Sequence, residues 1–217
     1  MFLFRREQRE HNLLRQRMHT VNNLLTKLYA GPRIAAVARE FGLLGRDGKL
    51  RLEKDGDIKA VVDLLIHREK IDGRHPVAVL LEQQKEEFLP ALQRQMLESY
   101  LGENRFSLYQ SRARREKRYL DLEPLLPGQE GIVLDDAMLA RVADDDWILA
   151  GRFLPWEGHW IHADLIYAFD GSAREKIFTA LEEIEPEGGR LWLNTPARFP
   201  HIFYRLYREF GIPLGNR

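Results

Sequence analysis

RFSLYQSRARREKRYLDLE, residues 105–123, is the stretch on which the reading of the fold turns. Before it, apolar residues recur every three or four positions; from Phe106 onward they recur every second position. The first period keeps side chains on one face of a helix and the second on one face of a strand, so the architecture changes here. Phe106 to Ser111 and Arg118 to Glu123 read as two strands, with the polar run between them as their turn. Toward the C-terminus, Gly131 to Leu134, Trp147 to Leu154 and His159 to Phe169 read as further strands. Pro127-Gly128, Asp144-Asp145-Asp146 and Pro155-Trp156-Glu157-Gly158 supply the turns between them. Short strands this closely spaced must bury their apolar faces on one another, which predicts a small antiparallel β-barrel or curled sheet.

Toward the N-terminus the pattern is helical throughout. Leu14, Met18, Val21, Leu25 and Leu28 follow at alternating steps of four and three, a narrow coiled-coil-like stripe that serves either as a docking face within the chain or as a homodimer seam. Pro32 suits the first turn of a second helix whose inward residues are Ile34, Val37, Ala38 and Phe41. IAAVAREFGLL, residues 34–44, has the look of the first half of a helix-turn-helix, yet GRDGKLRLEKDGD follows it, rich in turn formers where a recognition helix belongs. Asp57 is expected to cap a third helix to about Arg68, and His75-Pro76 to open a fourth to about Phe88. Pro90 then restarts the helix, with Leu89, Leu92, Met96, Leu97 and Tyr100 on its stripe. Behind the strands, helices are expected from Ser172 to Ile184 and from the Thr195-Pro196 cap to Phe210, with Arg190 to Asn194 as an added strand between them. Trp192, Phe199, Phe203, Tyr207 and Phe210 read as core. The expected fold class is α+β: a helical N-terminal unit over residues 1–103, then a small β-rich domain with C-terminal helices over 104–217.

With 44% hydrophobic and 30% charged residues, the chain of 217 is ordinary folded protein. It has no cysteine, which excludes disulfides, thiolate metal sites and a cysteine nucleophile. The apolar part of Met1 to Arg6 is too short for a secretory leader and no window is long enough to span a bilayer, so a cytoplasmic protein without a membrane partner is expected. The formal net charge is zero, but its distribution is uneven. Residues 105–118 hold six Lys/Arg against one acid, whereas residues 119–150 hold one basic residue against eight acids.

That segregation marks the strongest candidate site. Arg112, Arg114, Arg115, Lys117 and Arg118 surround the turn of the first predicted hairpin, with Tyr109 and Tyr119 interleaved. Phosphates need cations and bases stack on exposed rings, so the run suits RNA or single-stranded nucleic acid, with Arg5, Arg6, Arg9, Arg15 and Arg17 as auxiliary cations. Alternation along a strand places Arg112 and Arg114 on one face. The plainer reading is a charged turn whose arginines pair with the acids that follow. A dimeric protein-interaction scaffold working through the Leu14 to Leu28 seam is the competing function. A weaker one is a hydrolase using His162 and Asp164, which share a face on a regular strand. Asp144 to Asp146 read as a solvated turn, and no grouping offers the three ligands of a metal site, so neither metal nor cofactor is expected and enzymatic activity is disfavoured.

Asp146 to Pro155, DWILAGRFLP, together with the FSLYQ strand and the Leu-Asp-Leu strand before a Pro-Gly turn, resembles uncharacterised bacterial proteins often linked to a SEC-C zinc motif. The resemblance runs over residues 57–169 and implies a helix pair leading into these strands. It implies no activity, and the absence of cysteine means that the zinc motif itself is missing.

Overall fold

A computed structural model describes residues 2–83, 90–102, 105–115, 117–183 and 199–214, with no side-chain placement for residues 2–11, 55 and 105. The expected features at Phe88, Leu89, Ile184, Arg190 to Asn194, Trp192, Thr195 and Pro196, and the side chains of Arg5, Arg6 and Arg9, lie outside the described residues. The elements are α1 (Phe2–Thr26), α2 (Gly31–Glu40), α3 (Asp55–His67), α4 (Pro76–Gln83) and α5 (Ala91–Leu101), then β1 (Arg105–Arg115), β2 (Tyr119–Pro124) and β3 (Ile132–Asp135). After these come α6 (Leu139–Val142), β4 (Ile148–Trp156), β5 (His159–Phe169), α7 (Arg174–Glu183) and α8 (Phe199–Phe210). Contacts divide the chain into two units: Met1–Asn104 with Ala163–Leu165, and Arg105–His162 with Ile166–Arg217. Among the described residues, no helix is long and apolar enough to cross a membrane.

In the first unit α1 packs on α3, α4 and α5. Met18, Val21 and Leu25 are buried there, and each fully buried side chain of this size contributes roughly 1.5–3 kcal/mol. Leu14 and Leu28, at the ends of the stripe, are half-buried. The centre of the seam is therefore packed within its own unit. Asn22, on the flank of the same stripe, accepts the Tyr100 hydroxyl at 2.7 Å. Tyr29 donates its hydroxyl to Leu65 O at 2.5 Å, and burial pushes that hydroxyl up to about 12. Gly42, at φ 70°, ends α2, and the residues after it form a short turn closed by a Leu44–Leu50 bridge rather than a recognition helix. Asp57 is not the cap residue of α3. The helix begins two residues earlier, and the Asp57 carboxylate reaches back to the backbone N–H of Lys54 at 2.9 Å and of Glu53 at 2.7 Å.

The second unit is built on a closed five-stranded barrel of order β1-β2-β3-β5-β4. Strand β1 is long enough to serve two neighbours: Arg105 to Gln110 pair with β4, and Tyr109 to Arg115 pair with β2. That shared strand closes the sheet on itself. The pairing is antiparallel except between β3 and β5, which run parallel through Leu134 and Trp160. The purely antiparallel expectation is corrected there, because β4 returns to the free edge of β1 and leaves β5 to fill the gap beside β3. Leu120, Leu122, Leu134, Leu149, Phe153 and Ala168 fill the interior. The turn joining β4 to β5 has positive φ at both Glu157 (47°) and Gly158 (81°), the geometry whose twist suits a tight hairpin. On the outside, α8 lays Phe203 on Phe106 at 5.7 Å between ring centroids and Tyr207 on Tyr167 at 5.3 Å, covering parts of β1 and β5.

Candidate functional site

Strand β2 alternates cleanly. Leu120 and Leu122 point into the barrel, while Tyr119 and Asp121 are partly exposed and Glu123 is exposed on the outside. Strand β1 faces this row across the hairpin, and its register shifts between Ser111 and Ala113. A one-residue bulge reverses which side chains share a face, so the expected pairing of Arg112 with Arg114 does not form. Instead Arg112 bonds Glu123, and Arg115 donates from Nε to Asp121 at 2.7 Å, so both address the outward row of β2. Arg114 turns elsewhere and meets Asp144 at 3.5 Å.

Arg118 is held differently. It makes a two-pronged bond to Asp135, Nε to Oδ1 at 2.8 Å and Nη2 to Oδ2 at 2.6 Å, and its side chain is only 23% exposed. From there its guanidinium lies 5.1 Å over the Tyr119 ring. Tyr119 stacks in turn on His159, the first residue after the β4–β5 turn, with centroids 4.6 Å apart and planes 17° from parallel. Two turns distant in sequence thus meet on one stack of π-faces. Lys117 sits exposed at the hairpin turn with φ 57° and makes no ion pair with the described residues. Tyr109, by contrast, is wholly buried, edge-on to Phe153 at 5.0 Å in the barrel core, and presents no face to a ligand.

The expected pairing of His162 with Asp164 does not form either. Register shifts between Gly151 and Phe153 of β4, and opposite that shift Asp164 takes φ 69°, which turns it off the His162 face. Asp164 groups with the first unit, its carboxylate 3.1 Å from Lys59 Nζ. His162 finds Asp136 instead, Nε2 to Oδ2 at 2.9 Å, both side chains buried. The other oxygen of Asp136 accepts the backbone N–H of Met138 at 2.8 Å and of Leu139 at 2.9 Å, so this carboxylate also anchors the start of α6.

A family of unknown function (DUF7986) matches residues 5–217. The chain belongs to that family. No curated protein matches it, and no solved structure does.

A second polar place lies in the first unit, a cavity of about 100 Å³ lined by Asn22, Lys59, Asp63, His67 and Asp164 among others. Three pairs form among its groups: Lys59 with Asp164, Asn22 with Tyr100, and Asp63 with His67 at 3.9 Å. Among the described residues, no serine, threonine or cysteine lines it to act as a nucleophile. Among the described residues no group of three side chains is placed to hold a metal ion. Sequence reasoning found the arginines and Tyr119 but missed His159 as a ring partner, and missed Asp136 and Asp135. The one signal that pointed to the acids was the block of carboxylates directly after the basic run.

Proposed function

We propose that the chain is a non-enzymatic binding protein that takes RNA or single-stranded DNA on the β2–β3 face of its barrel. The observation that carries this reading is the convergence of the β1–β2 and β4–β5 turns on the Arg118, Tyr119 and His159 stack. In five-stranded Greek-key barrels of the OB type, oligonucleotides cross strands 2 and 3 between those two loops. A fold by itself carries no function, so the weight rests on what this chain puts there. It puts an aromatic platform of the kind on which unstacked bases settle, flanked by Arg112, Arg115 and Lys117, which are exposed to solvent. Duplex bases are already stacked on one another, so the platform favours a single strand.

The test is fluorescence anisotropy with a labelled mixed-sequence strand of about 16 nucleotides, the upper site size of one small barrel, in low salt. Binding is expected to weaken as salt rises. Tyr119→Ala should reduce affinity roughly 5- to 150-fold, the equivalent of losing one stacked base, without unfolding the barrel. Absence of binding to both RNA and DNA single strands at low salt would end this reading.

A further inference from the structure

The arginines at this face are not waiting empty. Arg112 is held by Glu123 and Arg115 by Asp121, two carboxylates from the outward row of one strand, each presenting oxygens to a guanidinium as a phosphate does. Both arginines remain solvent-accessible, with side chains 50% and 62% exposed, so an incoming anion can reach them. Arg118 is the contrast within the same hairpin: its partner Asp135 is 9% exposed, its bond is two-pronged, and its guanidinium covers Tyr119.

We infer that Glu123 and Asp121 are built-in stand-ins for backbone phosphates, occupying Arg112 and Arg115 until a single strand displaces them, while the Arg118–Asp135 pair stays closed and holds the stacking platform. The inference rests on the nucleic-acid reading above and assigns that same site its regulation. Exposed ion pairs are weak, so exchange of one anion for another is inexpensive; each pair lowers affinity for the strand by roughly 1.4- to 5-fold. The exchange also changes the ion count. A phosphate that takes an arginine releases its cation to solvent, while the displaced carboxylate attracts a cation back, so these two arginines add little to the salt dependence of the native protein. With the carboxylates gone, both contribute in full.

The experiment compares binding of the same labelled single strand by the native chain and three variants, each first shown to melt cooperatively. Asp121→Asn with Glu123→Gln should bind roughly 2- to 25-fold tighter, with the slope of log affinity against log salt steeper by about 1.4. Asp145→Asn with Glu182→Gln removes the same charge from exposed positions that make no ion pair with an arginine among the described residues, and should leave affinity and slope near native. Asp135→Asn should not tighten binding, because it loosens the ring stack. If the native chain binds and the Asp121/Glu123 variant behaves like the Asp145/Glu182 variant, the stand-in role is wrong and the nucleic-acid reading survives. If the native chain and every variant fail to bind, both fall. If the native chain fails and only the Asp121/Glu123 variant binds, the nucleic-acid reading of the native chain falls and the stand-in role falls with it.

Discussion

The packed face of α1 and the β1–β2 hairpin use polar groups in opposite ways. In the helical unit they are turned inward and matched once: Tyr100 on Asn22, Tyr29 on the backbone of α3, with Met18, Val21 and Leu25 packed beside them. In the barrel the interior is largely apolar, and at the β1–β2 hairpin the charges stand outside in pairs that water reaches. A buried pair has no alternative partner, so it fixes structure. An exposed pair has many, so it is open to exchange. The difference sets fixed pairs in one region against exchangeable pairs in the other.

The sharpest way to break this comparison is at Leu25. Leu25→Asp places a carboxylate among fully buried side chains and should cost about 4 kcal/mol, read as a lower midpoint in urea. Unchanged stability would mean that α1 is not docked where it is described, and a changed oligomeric state without loss of stability would return the stripe to a dimer seam.

A smaller effect is expected at high pH from Tyr29. Its hydroxyl is raised from 10.0 to about 12 because burial disfavours the phenolate. Its contribution to stability is complete below the unfolded value and is lost as pH climbs from 10.0 toward about 12, since the unfolded chain gives up the proton first. Tyr29→Phe should flatten that part of the stability-against-pH curve; an equally steep loss in the variant would assign the alkaline sensitivity to other groups.

The smallest effect belongs to the hairpin. Arg112→Gln with Arg115→Gln should change folding stability by less than about 1 kcal/mol, because both arginines are solvent-exposed. A loss as large as that at Leu25 would show these arginines to be structural and would remove the contrast between the units.

The helical stripe, the switch of period at Phe106 and the positions of all five strands were legible in the sequence, because each depends on residues only a few positions apart. So were the hairpin and its cluster of cations. Which side chains share a face was not. The bulge near Arg112 inverts the alternation along β1, the backbone kink at Asp164 interrupts that of β5, and neither has a reliable local signature. Nor did local pattern distinguish Tyr109 from Tyr119: both lie on strands, yet one is sealed in the core by Phe153 and the other opens on the surface beside His159. Barrel closure decided these matters, since only closure brings β1 against both β2 and β4 and sets β5 parallel to β3. The sequence by itself therefore determined the elements and their charges, through short-range periodicity and composition. Which arginine meets which carboxylate, and which ring is sealed in the core and which lies at the surface, came from contacts spanning tens of residues that exist only once the barrel is closed.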